Sequence, residues 1–167
     1  MVEETEALDE EEEDLSIQLG SNHLKVTKGG VTLTTKLVDG QFPDYEKVVP
    51  KDASRVLHGD RNTLKEGFHR ASILSNEKYR GVRLAISPDS LTIQANNPEQ
   101  EEAEETVAVQ FSGDQLEIGF NVSYLLDVLS VLDSEQVQMS VSDANSSALL
   151  ESADDSDAVY VVMPMRL

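Results

Sequence analysis

Leu116-Glu117-Ile118-Gly119-Phe120-Asn121-Val122-Ser123-Tyr124-Leu125-Leu126-Asp127-Val128-Leu129 carries two periods in one stretch. Leu116, Ile118 and Phe120 alternate, the mark of a half-buried strand. Asn121 then offers a side-chain oxygen where a helix needs an N-cap. From there Leu125, Val128, Leu129 and Leu132 recur at helical spacing. A strand therefore runs straight into a capped helix that ends near Leu132. Three further runs, Gln136–Val141, Ala148–Ser152 and Val159–Met163, are expected as strands.

The same order stands upstream. Arg55–Gly59 is a short strand. Asn62 is the expected N-cap of a helix over Thr63–Leu74, with Leu64, Phe68, Ala71 and Leu74 on its apolar face. Val82–Ile86, Leu91–Ala95 and Thr106–Phe111 follow as strands. A β-α-β-β-β order thus occurs twice in succession. Such a repeat implies pseudo-symmetric packing of two antiparallel sheets with both helices on one side, an α+β fold.

Toward the N-terminus, Leu15, Ile17, Leu19, then Leu24, Val26, then Val31, Leu33, Thr35 alternate, separated by Gly20-Ser21-Asn22 and Gly29-Gly30. They predict a three-stranded antiparallel meander with one buried face. The meander has the form of the back end of a third repeat whose first strand and helix are missing. Leu37–Val49, with Gly40 and Pro43 and with Pro50 just beyond it, is expected as an extended connector.

The chain has 167 residues and a net charge of -19. Nine acids and no base stand in Met1–Asp14, which is expected as an acidic, disordered leader. This balance argues against a generally basic nucleic-acid coat or a polybasic membrane binder. With no cysteine there is no disulfide, zinc-thiolate or thiol chemistry. No apolar run is long enough to span a membrane and no signal peptide is seen, so a soluble, cytoplasmic protein is expected.

No catalytic constellation emerges. His23, His58 and His69 lack metal-ligand or triad spacing, and no phosphate-loop, dinucleotide or nucleophile-elbow motif occurs. We expect no catalytic residues, no metal and no cofactor. Two charged features stand out. Arg61, Lys65, His69, Arg70, Lys78, Arg80 and Arg83 crowd a stretch with two acids, Glu66 and Glu77, a local basic patch suited to phosphate contact or simply a charged helix face. Glu99–Glu105 (EQEEAEE) is either a solvated loop or an acidic edge that meets a basic partner. The apolar end, Val159–Leu167, reads as a central strand or part of a groove, with Met163 and Met165 flanking Pro164 as adaptable surface.

Several long stretches together resemble the bacterial replicative sliding clamp family, the beta subunit of DNA polymerase III. They are Lys36–Pro50 (KLVDGQFPDYEKVVP), Ser72–Leu84 (SILSNEKYRGVRL), Ala95–Glu105 (ANNPEQEEAEE), Ile118–Leu129 (IGFNVSYLLDVL) and Tyr160–Leu167 (YVVMPMRL). The resemblance covers Leu15–Leu167. It implies the DNA clamp fold, with 1–14 an acidic leader, 15–45 the last strands of an incomplete middle domain, and 46–167 a complete C-terminal domain.

The resemblance further implies a non-catalytic DNA replication processivity factor, an accessory subunit of a DNA-directed DNA polymerase, itself a nucleotidyltransferase. Its implied partners are double-stranded DNA held non-specifically in a ring, the polymerase III alpha subunit, the clamp loader, other proteins with clamp-binding motifs, and self or full-length clamp subunits. A partner-peptide groove is implied at Pro43, Lys47, Val48, Tyr79, Asn121, Tyr124, Ser147, Val161, Val162, Met163, Pro164, Met165, Arg166 and Leu167. Lys47 stands where the family has Arg, Tyr79 where Phe is common, and Asn145 where an apolar residue is expected. Ring closure is implied at Ile73 and Leu74, with Glu99, Glu102 and Glu105 as its acidic side. Lys65, His69, Arg70, Arg80 and Arg83 would face DNA. The resemblance starts within the middle domain, so a truncated, internally initiated or split-gene clamp is expected, too short to encircle DNA as a pair. A stand-alone acidic interaction protein or DNA mimic is the alternative; a hydrolase or nuclease has only unpaired carboxylates behind it.

Overall fold

The computed structural model describes residues 14–40, 44–50, 54–154 and 158–166. Two compact units divide at Pro43 and Asp44. The first holds β1 (Ser16–Leu19), β2 (His23–Lys28) and β3 (Val31–Lys36) in the antiparallel order β1-β2-β3. Ile17 stands opposite Val26, and Val26 opposite Leu33, so the alternating apolar residues share one face. Gly29, at φ 55°, makes the tight β2–β3 turn in a conformation that costs glycine nothing. The expected meander forms, but its apolar face is not buried: Ile17 is 61% and Leu33 63% exposed. Among the described residues this unit contains no helix, so nothing in it lies over the face.

The second unit opens with a 3-10 turn, Tyr45–Lys47, where an extended connector was expected. The Lys47 N–H reaches the Asp44 carbonyl, and the two side chains pair at 3.1 Å, which tightens the chain there. Two repeats follow. The first is β4 (Arg55–Asp60), α1 (Arg61–Ser72), β5 (Gly81–Ser87), β6 (Ser90–Asn96) and β7 (Glu102–Ala108), extended by β8 (Gln110–Ser112). The second is β9 (Leu116–Asn121), α2 (Val122–Val131), β10 (Gln136–Val141), β11 (Ala148–Ser152) and β12 (Val159–Val162).

Each repeat lends its first strand to the other. One sheet has the order β12-β11-β10-β4-β8, the other β7-β6-β5-β9. The helix starts obey the same exchange. The first N–H of α1, on Arg61, bonds the Glu135 carbonyl just before β10; the first N–H of α2, on Val122, bonds the Arg80 carbonyl just before β5, each at 2.8 Å. The doubled α+β architecture is therefore stitched by reciprocal contacts. Leu57, Leu84, Ile93, Phe120, Leu125 and Leu129 lie in one buried core shared by both sheets and helices.

Three local expectations are corrected. Asp60, not Asn62, caps α1: its carboxylate accepts the Thr63 N–H and hydroxyl, each at 2.7 Å. Asp60 closes β4 in an extended conformation, so strand turns into helix without a linker. That helix stops at Ser72, which leaves Ile73 and Leu74 in the following turn. Thr106–Phe111 is not one strand. The chain leaves the four-stranded sheet at Val109, so β7 pairs with β6 while β8 pairs with β4.

Candidate functional site

The C-terminal segment joins the two sheets. β12 is the edge of the five-stranded sheet, and buried Val162 anchors its end. Three residues later Met165 bridges Gly119 on β9, the edge of the four-stranded sheet, with an N–H to carbonyl bond of 2.7 Å. Met163 and Pro164 span the interval. Met163 is 60% exposed, and its Sδ accepts a hydrogen bond from the Ser147 hydroxyl at 3.1 Å. Thioether sulfur is a weak acceptor, so this contact orients the side chain more than it holds it.

Ser147 sits at the end of a shaped loop. The Asp143 carboxylate accepts the N–H of Asn145 at 2.7 Å, the N–H of Ser146 at 3.0 Å and the Ser146 hydroxyl at 2.9 Å. These donors, led by the Asn145 N–H, hold its carboxyl below the usual range. Asn145, Met165, Arg166, Arg83 and Glu117 line a depression of about 360 Å³. On the other side Tyr79, Asn76, Pro98, Met165 and Arg166 line one of about 450 Å³. Tyr79 is exposed, with the Lys78 ammonium 5.1 Å from its ring centre. Tyr124 is exposed in the first turn of α2. Asn121 spends its side-chain oxygen on the Ser123 N–H at 2.9 Å, so its geometry is that of a cap.

The structure thus brings Ser147 to Met163, and Tyr79 to Met165 and Arg166. Val161 lies half-buried in β12 beside Val162. Lys47 and Val48 are exposed in and beside the 3-10 turn, and among the described residues neither shares these depressions. Pro43 and Leu167 lie outside the described residues, as does most of the acidic leader.

A second surface lies along β7. Ile73, 70% exposed, and half-buried Leu74 line a depression of about 490 Å³ with Pro98, Glu99 and Glu101. β7 is an edge strand that begins at Glu102, so the acidic run divides: Glu99 and Glu101 lie in the turn before the strand, and Glu102, Glu104 and Glu105 on the sheet edge. Its acids divide by face. Glu102 points outward and is exposed. Glu105 stands opposite core residue Ile93 and binds Arg70 on α1 through Nε at 3.0 Å and Nη2 at 3.1 Å. Arg70 depresses the Glu105 carboxyl, and Glu105 raises the Arg70 guanidinium. Both groups staple helix to sheet.

The basic stretch is likewise dispersed. Lys65 and His69, four apart on α1, line an open depression with Asn62, Glu66, Arg70 and Leu126. Arg80 turns inward: Nη1 donates to the Ser72 carbonyl at 3.2 Å and Nε to the Ser123 hydroxyl at 3.5 Å. Arg83 neighbours core residue Leu84 on β5 and so takes the sheet face away from the helices, paired with Glu117. Among the described residues no three His, Asp or Glu gather as a metal site, and no helix is long and apolar enough to cross a membrane.

Residues 46–166 match the family profile "DNA polymerase III beta subunit, C-terminal domain", and residues 1–44 match "DNA polymerase III beta subunit, central domain". The chain belongs to the beta sliding clamp family. It is 59% identical over 160 residues to the beta sliding clamp of Pseudomonas aeruginosa, covering 96% of this chain and 44% of that protein. To the beta sliding clamp of Escherichia coli K12 it is 53% identical over the same shares. A crystal structure of the P. aeruginosa clamp superposes with a TM-score of 0.80 at 58% identity, over 95% of this chain and 43% of that one. The Bartonella birtlesii clamp, bound to griselimycin, gives 0.81 at 37% identity, over 92% and 41%. The chain spans less than half the length of these clamps.

Sequence reasoning missed Arg61 and Arg80 as structural braces. The Arg61 guanidinium donates to the Leu132 carbonyl at the end of α2. The clue lay in the repeat: each residue stands where one repeat must be tied to the other, Arg61 at a helix start and Arg80 just before a strand.

Proposed function

We propose that this chain acts as the C-terminal portion of a replication clamp, with residues 15–45 ending a middle domain and 46–167 forming the terminal one. It is a cytoplasmic, non-catalytic tether that keeps a polymerase near its DNA. Tethering raises effective concentration without new chemistry. The observation that carries this reading is the tail clasped between two sheet edges. It holds exposed Met163 against Ser147 and puts Met165 and Arg166 in the lining of a neighbouring depression, which supports a partner surface there in a clamp-family chain. An adaptable methionine on a fixed backbone suits short apolar motifs from several partners, such as a polymerase subunit or a clamp loader. The similarity to clamps over 96% of the chain favours this reading over an acidic DNA mimic.

The β7 edge supports assembly. An edge strand with unpaired backbone groups, flanked by Ile73 and by Glu99 and Glu102, is suited to pairing with a strand of another clamp subunit that carries basic groups. DNA contact falls to Lys65 and His69 on α1, which reach phosphates without reading bases.

Griselimycin, bound in a solved P. aeruginosa clamp, is the probe with which this reading is tested. Calorimetric titration is expected to show binding by the wild-type chain and a loss of about tenfold or more in Met163→Ala, the size of one buried apolar side chain. Equal affinity in the two chains would count against the groove.

A further inference from the structure

Met163 is the residue at which an oxidant would reach the groove. The chain has no cysteine and no tryptophan, so methionine sulfur is its most readily oxidised side-chain chemistry. Among the described residues three sulfurs compete. Met139 lies in the core at 4% exposure. Met165 is half-buried, with its backbone clasped to Gly119. Met163 is 60% exposed.

Its backbone is fixed on both sides, by buried Val162 and by the Met165 bridge, and Pro164 narrows the conformations between. The side chain therefore starts from a fixed point at the surface. Ser147 occupies one lone pair of Sδ and leaves the second unused on a side chain that is 60% exposed.

We propose that Met163 is a reversible oxidation site that switches the partner groove off. This rests on the groove reading above. Hydrogen peroxide, or another two-electron peroxide, supplies the oxygen. The free lone pair of Sδ attacks a peroxide oxygen, and the O–O bond breaks. Sulfur gains one oxygen and is oxidised by two electrons, while the other peroxide oxygen leaves as water, or as the alcohol where the oxidant is an organic peroxide. The product, methionine sulfoxide, is polar and chiral, and it stands where the groove offers an apolar, deformable contact. Its new oxygen is a stronger acceptor than sulfur and lies within reach of the hydroxyl that already binds Sδ, so Ser147 holds the polar group in place. The buried core, Met139 included, is untouched, so the fold survives.

The chain is treated with graded hydrogen peroxide, and each methionine is followed by peptide mass mapping. Griselimycin affinity is measured on the same samples by calorimetry. Met163 is expected to oxidise first. Affinity is expected to fall about tenfold or more, in step with its sulfoxide. Methionine sulfoxide reductases should restore it. Met163→Leu, inert to peroxide at this position, should show the same affinity before and after treatment, whatever its starting value. Oxidation of Met139 or Met165 before Met163 overturns the proposal, as does full affinity in a chain whose Met163 is fully oxidised. If the untreated chain does not bind griselimycin, the groove reading fails instead, and the order of oxidation still reports on Met163.

Discussion

The Met165 N–H donates to the Gly119 carbonyl at 2.7 Å, and this single bond lays the C-terminal segment across the edge of β9. Without it the tail would end as a frayed strand on the other sheet. The proposed partner groove rests on this clasp, which holds the chain beyond β12 where Met163 meets Ser147.

Met165→Pro removes that N–H and is the direct test of the clasp. The loss of one backbone hydrogen bond costs about 1 kcal/mol, too little to unfold the core. The expected result is a nearly unchanged circular dichroism spectrum with griselimycin affinity lowered about tenfold or more. Unchanged affinity would mean that the tail is positioned by something else.

Gly67 stands where α1 packs tightly on the four-stranded sheet. A Cβ there would stand 2.9 Å from Val107 Cγ1 and 3.3 Å from Ile93 Cδ1, and a branched Val107 has little freedom to move aside. Gly67→Leu is expected to lower unfolding stability by about 1–3 kcal/mol, the usual cost of overpacking. Urea denaturation measures it; a stabilised variant would show that α1 can lift away freely.

Glu105, Asp60 and Asp143 all have carboxyls depressed below their ordinary values, by Arg70, by the Thr63 cap and by the Asn145–Ser146 turn. A depressed carboxyl adds stability that is complete above its unfolded value, about 4, and is lost as pH falls through the lower folded value. Melting temperature is therefore expected to be flat above pH 5 in respect of these groups and to drop below pH 4. Glu105→Gln should lower the neutral-pH value and shrink the acid drop. An acid drop of wild-type size in this variant would show that the Arg70 pair contributes nothing.

Ile73→Asp places a charge on the exposed apolar residue beside the β7 edge. Native mass spectrometry of the chain mixed with full-length P. aeruginosa clamp is expected to show mixed species with wild type and none with the variant. Mixed species in both would move the assembly surface away from Ile73.

The doubled repeat was legible because each strand and helix repeats a simple period. The caps were less so. Asp60 and Asn62 both carry capping side chains, and only the end of β4 decides between them. The break at Val109 was invisible because alternation continues through it while the pairing partner changes. The basic stretch misled for a related reason. Strand alternation sends Arg83 to the far face, and the residue before the strand, Arg80, is drawn inward to tie the two helix ends. The acidic run divided likewise, since Glu102 and Glu105 lie an odd number of residues apart on one strand. The apolar face of the meander was read correctly, but its exposure could not be read from its own residues.

Hydrogen–deuterium exchange of the intact chain with and without griselimycin tests the central claim most directly. Exchange is expected to slow at the Asp143–Ser147 loop, around Tyr124 and along Val159–Arg166, and to stay unchanged along the β7 edge. Binding that protects β7 and leaves the tail untouched would contradict a partner groove built on Met163 and Met165.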